Sequence, residues 1–293
     1  MPNVGILADT TASIPERIVQ DLHIELVPYY VIREGENLRD SFDVKPEPFA
    51  DYLTRADVLP TTSCPSPGDY LAAFKKLAEH TCEIVAITMT SKGSGAYTSA
   101  QAAVQILRER MPDVNVQVVD TLQVAMSYGW AVIEAARGAL EGLSQNQVIE
   151  RARQVAEKGM MVQTADTLRY LYMGGRLGRA THLVGSLLNI KPLIGMENGT
   201  IVGLGVARGR PKAYQRMAEL AAERFGEGAA IRIAFTHCAA LDQLEMLKEQ
   251  MLKRFDCVEV IVTSLSPALA VHSGPGTVGM CFTPVSPARR RDG

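Results

Sequence analysis

Hydroxyl residues and glycines gather in one recurrent setting in this sequence, the turn where an apolar run gives way to a helix. Val85-Ala86-Ile87 leads into Thr88-Met89-Thr90-Ser91-Lys92-Gly93-Ser94-Gly95-Ala96-Tyr97, and then into an alanine-rich helical stretch ending near Met111. A strand, a hydroxyl-lined glycine loop and a helix N-terminus present free backbone N–H groups, the positive end of a helix dipole and side-chain hydroxyls as further donors. Such a junction suits a small anionic group. The combination recurs as Asp9-Thr10-Thr11-Ala12-Ser13, as Thr61-Thr62-Ser63-Cys64-Pro65-Ser66-Pro67-Gly68-Asp69, and as His272-Ser273-Gly274-Pro275-Gly276. Four such loops are expected to form one pocket rich in neutral donors.

The elements that would position these loops alternate in the first half of the chain. Strands are expected at Val4–Ala8, Glu83–Thr88 and Val114–Asp120, with helices from Pro15, after Gly95, and from about Gln123 to Glu141. That rhythm implies a doubly wound, mostly parallel sheet with helices on both faces. Residues 24–45, including Glu25-Leu26-Val27-Pro28-Tyr29-Tyr30-Val31-Ile32 and Gly35, read as a small extended insertion before a helix at Pro48–Ala56. A helix from Ser144 to Lys158 is capped by Ser144 and stopped by Gly159, which places a domain boundary at 158/159.

The second half, 159–285, follows a different grammar. A strand at Met160–Thr164, a short helix at Leu168–Met173 and a helix at Ala180–Leu188 precede Leu193-Ile194-Gly195-Met196-Glu197-Asn198-Gly199-Thr200-Ile201-Val202. There Asn-Gly signals a tight hairpin. Helices at Pro211–Phe225 and Leu241–Phe255 then alternate with strands at Ile231–Thr236 and Val258–Thr263. Hairpin plus βαβ elements imply a second α/β domain with a mixed sheet, followed by a frayed tail at 286–293.

Composition removes several function classes. The 293 residues carry 30 basic and 32 acidic side chains, so no broad basic surface points to nucleic acid. Apolar stretches end well short of the roughly 20 residues that span a bilayer. The chain opens in a strand without a signal peptide's basic start, so a cytoplasmic protein with no integral membrane segment is expected. Cys64, Cys82, Cys238, Cys257 and Cys281 form no C-x-x-C pair, which disfavours a zinc site and a disulfide framework. Neither a metal nor a cofactor is expected. There is no G-x-x-x-x-G-K-[ST], and Gly203-Leu204-Gly205 lacks the third glycine of a dinucleotide loop.

Asp9-Thr10-Thr11-Ala12, Thr62-Ser63-x-Pro65-Ser66, Ser91-Lys92-x-Ser94-Gly95-x-Tyr97, Val119-Asp120-Thr121, Tyr172-x-Gly174-Gly175-Arg176 and His272-Ser273-Gly274-Pro275-Gly276 occur in this order along nearly the whole chain. Together they resemble the landmarks of the DegV family. The resemblance implies two α/β domains enclosing one long-chain fatty acid between them. It also implies a lipid-binding subunit with no catalysis of its own, which presents the carboxylate to a separate ATP-binding kinase subunit that makes the acyl-phosphate, a step of phospholipid metabolism. Carried over by position, the ligand contacts fall on Thr62, Ser63, Ser94, Gly95 and His272, with Arg176 facing the phosphate or the partner. The chain departs from the family pattern at Cys64, where Gln is frequent, at Gly93, where an apolar residue is frequent, and at Ala96, where Thr is frequent.

Other readings of the same residues stand beside this one. Ser94 and Thr62 could cap local turns, Asp9 and Thr10 could cap the helix near Pro15, and Arg179 could serve structure alone. The cluster Arg208-Gly209-Arg210-Pro211-Lys212 reads as a solvated helix start or a docking patch. Ser94 as nucleophile, His272 as base and Asp9 or Asp120 as orienter would give an esterase or thioesterase, although no G-x-S-x-G or S-x-x-K surrounds Ser94. A regulator that senses fatty acid is the third class.

Overall fold

A computed structural model of the chain describes residues 2–183 and 189–285. In the first half the elements are β1 (Val4–Asp9), α1 (Glu16–Asp21), β2 (Ile24–Val27), β3 (Tyr30–Arg33), β4 (Glu36–Arg39), α2 (Pro46–Arg55), β5 (Thr61–Ser63), α3 (Pro67–Ala78), β6 (Glu83–Thr88), α4 (Ala96–Arg110), β7 (Asn115–Asp120), α5 (Ala125–Leu140) and α6 (Gln145–Lys158). The remainder holds β8 (Met160–Thr164), α7 (Arg169–Met173), β9 (Ile190–Glu197), β10 (Thr200–Arg208), α8 (Arg210–Phe225), β11 (Ala230–Cys238), α9 (Leu241–Arg254), β12 (Asp256–Ser264), α10 (Pro267–Ser273) and β13 (Thr277–Pro284).

The first sheet has the order β2-β1-β6-β7 and is parallel throughout. Alternation along its strands sorts side chains to two faces. Val4, Ile6, Ala8, Val85 and Ile87 meet α5 and α6, whereas Leu7, Ile84 and Ala86 meet α3 and α4. The chain leaves β1 towards β2 and later returns to β6 on the other side of β1, so the strand order reverses between β1 and β6. Ligands of open α/β sheets bind at such a crevice, outside the carboxyl ends of the strands.

The second sheet, β10-β9-β8-β13-β11-β12, is antiparallel except for the β11–β12 pair. Its Ile231, Ile233, Phe235, Met280 and Phe282 pack under α8 and α9. The opposite face rests on α5, where Trp130 and Ile133 join Ala234 and Cys281, and the Trp130 indole N–H donates to the Cys281 carbonyl at 3.1 Å. Helix α5 therefore serves both sheets, one side on each, which is why it is buried almost end to end. Its alanines and Gly129 permit the approach. A Cβ at Gly129 would stand 2.7 Å from the Ala12 carbonyl oxygen. An ionic cluster adds to the joint: Arg137 bonds Glu134 and Glu259, Arg151 bonds Glu134 and Glu141, and Arg232 lies 3.3 Å from Glu259.

Several expectations change in detail. The insertion is shorter than 24–45, because Ile24–Val27 pairs with Ile6–Asp9 and buries Ile24 and Val27 as a full strand of the main sheet. The small antiparallel sheet β4-β3-β5 remains, built partly from Thr61–Ser63, which no strand signal marked. In place of a helix at Ala180–Leu188, a 3-10 turn runs over Gly178–Leu183, and 184–188 lie outside the described residues. Gly178 starts that turn at φ +59 against β10, where a Cβ would be 2.6 Å from the Ile201 carbonyl oxygen. The expected tail, 286–293, also lies outside the described residues. Helix α10 and strand β13 went unrecognised, although Ser266-Pro267 is a cap-then-proline start signal. Gln147 accepts the Ser144 N–H at 3.0 Å as α6 begins, and Gly159 ends the helix.

Candidate functional site

Sheet geometry brings the four donor loops to one place. The loops after β1 and β6 flank the crevice, β5 enters from the small sheet, and the last turn of α10 closes it from the second half. Between them and β8–β10 is a cavity of about 410 Å³, within the roughly 300–1,000 Å³ usual for small-molecule sites. Thr62, Ser94, Gly95, His272 and Arg176 all line it. Ser63 does not. Alternation along β5 turns its side chain away, and its hydroxyl donates to the Cys64 carbonyl.

At the polar end the hydroxyls come in braced pairs. Ser94 Oγ lies 2.6 Å from the Tyr29 hydroxyl and accepts the Ala96 N–H at 3.2 Å, which sets it at the N-terminus of α4. Thr62 Oγ1 lies 2.8 Å from His272 Nε2. Burial, together with the nearby Arg176 charge, pushes the His272 imidazole down to about 4, so it is neutral near pH 7. Its Nδ1 is buried without a partner among the described residues. Arg176 donates to the Gly174 carbonyl at 2.6 Å, and Lys92 is the other cationic side chain on the lining. The remaining wall is mixed: Met89, Met161, Ile194, Met196, Leu265 and Leu269 supply apolar surface, and Gln163 of β8 is a polar side chain among them.

The loops owe their shape to local bonds. Asp120 Oδ1 accepts the Ser91 and Leu122 N–H groups at 3.2 and 3.1 Å, and Thr121 donates to the Thr88 carbonyl, which ties the ends of β6 and β7 together. Asp9 caps the 3-10 turn Thr10–Ala12 by accepting from Thr11, and Thr10 donates to Asp40 at 2.9 Å. Both carboxyls are fully buried, and desolvation raises Asp9 to about 7 and Asp40 to about 6. The β9–β10 turn crosses the cavity rim. There the Thr90 hydroxyl donates to the Gly199 carbonyl at 2.8 Å, with Asn198 and Gly199 at the positive φ that a tight hairpin turn requires.

Ser94, His272 and Asp9 or Asp120 are not hydrogen-bonded into a nucleophile–base–orienter series. Ser94 is bonded to Tyr29 and His272 to Thr62, while Asp9 and Asp120 serve as cap and brace. Arg179 pairs with Glu197, and Arg210 is held by Asp166 and the Gly276 carbonyl. Gly203 and Gly205 flank a bulge in the β9–β10 ladder. Tyr29 is the site residue that the sequence reading missed. It follows β2 in a segment without a loop motif, and only the small sheet brings it to Ser94.

A family model described as "Uncharacterised protein, DegV family" matches residues 3–285. A DegV domain-containing protein of Clostridium perfringens is 29% identical over 279 residues, which cover 95% of this chain and 98% of that protein. The structure of a DegV family protein from Thermus thermophilus, described by its fatty acid binding, is 27% identical and superposes with a TM-score of 0.90, covering 97% of this chain and 100% of that one. A DegV lipid-binding protein from Thermotoga maritima is also 27% identical, with a TM-score of 0.88 and coverage of 97% and 99%. Among the described residues, no helix is long and apolar enough to cross a membrane.

Proposed function

The chain belongs to the DegV family, and on that premise we propose that it carries one long-chain fatty acid in the cavity, with the carboxylate at the Thr62, Ser94 and His272 end. The observation that carries this reading is the pairing of each hydroxyl with a second polar group. A carboxylate only accepts hydrogen bonds, so a hydroxyl that donates to it must satisfy its own lone pairs from behind. With Tyr29 as donor to Ser94 at 2.6 Å and His272 in its Nε2–H tautomer as donor to Thr62 at 2.8 Å, an arrangement both contacts permit, the two hydroxyl protons would be free to point at the ligand. The N-terminus of α4 adds a favourable dipole, and Gly95 keeps the approach open. The apolar side chains of the wall would bury the acyl chain, each methylene contributing about 0.8 kcal/mol before entropic costs.

The protein is a cytoplasmic carrier without catalysis of its own in this reading. It presents the head group to a separate ATP-dependent kinase subunit for acyl-phosphate formation. Arg176, at the rim, faces the partner and the developing phosphate. Native mass spectrometry of freshly purified protein, followed by denaturing extraction, tests the carrier step. The expected result is about one fatty acid per chain. Charge-assisted bonds contribute roughly 1.5–3 kcal/mol each, so Thr62→Val with Ser94→Ala should weaken fatty-acid binding by more than tenfold and lower partner-dependent phosphorylation with it. An empty protein that takes up no added fatty acid would overturn the proposal.

A further inference from the structure

Exposed apolar side chains are concentrated at one margin of the second sheet. Of the thirteen large ones exposed among the described residues, six lie on α9 and β12: Leu241, Met246, Leu252, Val258, Val260 and Val262. Strand β12 is the outermost of the sheet, and at nine residues it presents an edge about 30 Å long. Its sequence, Asp256-Cys257-Val258-Glu259-Val260-Ile261-Val262-Thr263-Ser264, holds its two charged residues, Asp256 and Glu259, in the first half and has no Lys or Pro, so Val260–Ser264 carries none of the charges or prolines that blunt such edges. The ladder to β11 is irregular near Val258, which leaves Glu259–Ser264 as a regular stretch. Among the described residues, β11 supplies the backbone partners of that stretch.

The exposed valines belong to a face that the molecule otherwise covers. Val260 and Val262 stand opposite Ile233 and Phe235, which pack under Leu244, Leu247 and Met251 of α9. Leu241 and Leu252, three turns apart on α9, share a flank beside that core stripe. Strand and helix flank together form an apolar margin at 38% and 37% exposure for the two valines.

We propose that this margin joins two copies of the chain, with β12 pairing antiparallel to β12 of the second copy about a two-fold axis near Ile261. A two-fold contact must be complementary to itself. Pairing about Ile261 sets Val260 of each copy opposite Val262 of the other, and Glu259 opposite Thr263. No like charges face each other across the ladder, where they would be destabilising. The Glu259 carboxylates are each held within their own chain by Arg137 and Arg232. A strand pair alone buries less than the roughly 1,200 Å² of a stable interface, and the α9 flanks supply further apolar area. No residue of α9 or β12 lines the cavity, so the contact leaves its walls untouched in both copies.

Sedimentation velocity across a concentration series, paired with amide hydrogen exchange, tests the contact. The expected result is a two-chain species whose amides at 259–263 gain protection as concentration rises. Val260→Lys should convert it to a single chain with unchanged fatty-acid content. Val58→Lys, at a distant exposed residue, should leave the two-chain species intact. A single chain at every concentration, or a Val260→Lys protein that still pairs, overturns the proposal. So does a monomer whose 259–263 amides lose protection when residues 286–293 are removed, since the chain's own tail would then hold the edge. Because the readout is mass and exchange, its failure is separate from failure of fatty-acid binding.

Discussion

Asp9→Asn isolates the energetic consequence of placing a carboxyl behind the head-group loops. The Asp9 side chain is fully buried; Oδ1 accepts from the Thr11 N–H at 3.0 Å and from the Thr11 hydroxyl, and Oδ2 has no hydrogen-bond partner among the described residues. Desolvation therefore outweighs the hydrogen bonds and raises the carboxyl from 3.8 to about 7. Below pH 3.8 the proton is bound in both folded and unfolded chains. Between 3.8 and about 7 the unfolded chain releases it while the folded chain keeps it, so stability falls as pH rises. The full span corresponds to about 4 kcal/mol, at 1.36 kcal/mol per tenfold step in acidity.

Asparagine preserves the Oδ1 acceptor and carries no titrating proton. Its buried amide N–H₂ adds a pH-independent cost of about 1–3 kcal/mol. Urea unfolding of ligand-free wild type and Asp9→Asn should be compared from pH 4 to pH 8 at fixed ionic strength. Asp40, raised to about 6, lowers stability over the same direction of pH. His272, held down to about 4, does the opposite, since the unfolded chain binds its proton up to about 6.5. Both contributions cancel in the difference between the two proteins where the sites are independent. That difference should shift in favour of Asp9→Asn by about 4 kcal/mol between pH 4 and pH 8. A difference that changes by less than about 1 kcal/mol would refute the desolvation argument, because a carboxyl with an ordinary acidity contributes no such slope.

Two further outcomes follow from closures around the cavity. Gly199→Val places a Cβ 2.6 Å from Thr90 Oγ1 at a φ of +78, and should destabilise the protein by about 1–3 kcal/mol; release of bound fatty acid should also accelerate, as measured by transfer to an acceptor protein, and an unchanged release rate would mean that the hairpin tip does not hold the rim. Arg137→Ala leaves Glu134, at 5% side-chain exposure, to Arg151 and Glu259 to Arg232, and should cost about 1.5–3 kcal/mol in denaturant unfolding for the charged hydrogen bonds lost, with no loss expected if the cluster is fully screened by solvent.

Local pattern made much of the fold legible. Val4-Gly5-Ile6-Leu7 and Val85-Ala86-Ile87 read as strands because they are short, apolar and bounded by turn residues. Asn198-Gly199 announced its hairpin through the positive φ that those residues tolerate. Ala180–Leu188 misled because helix propensity is a weak prior, and in the described part Gly178 at positive φ and the packing of β10 set a 3-10 turn instead. Strand β13 was obscured because a fully buried strand carries no alternation to detect.

The sequence by itself determined which segments could donate hydrogen bonds at a helix or strand end, since that depends on residue type and on neighbours a few positions away. It thereby marked the loops that hold Thr62, Ser94, Gly95 and His272, and the resemblance to the DegV family singled those residues out within them. Only tertiary structure decided which of them share a cavity, that Tyr29 stands behind Ser94, that Ser63 turns away and that burial lifts the Asp9 carboxyl to about 7. Those outcomes depend on strand order, on the side to which each side chain alternates and on the exclusion of water. Contacts such as Thr62 to His272, separated by 210 positions in sequence, exist only once both sheets have packed on α5.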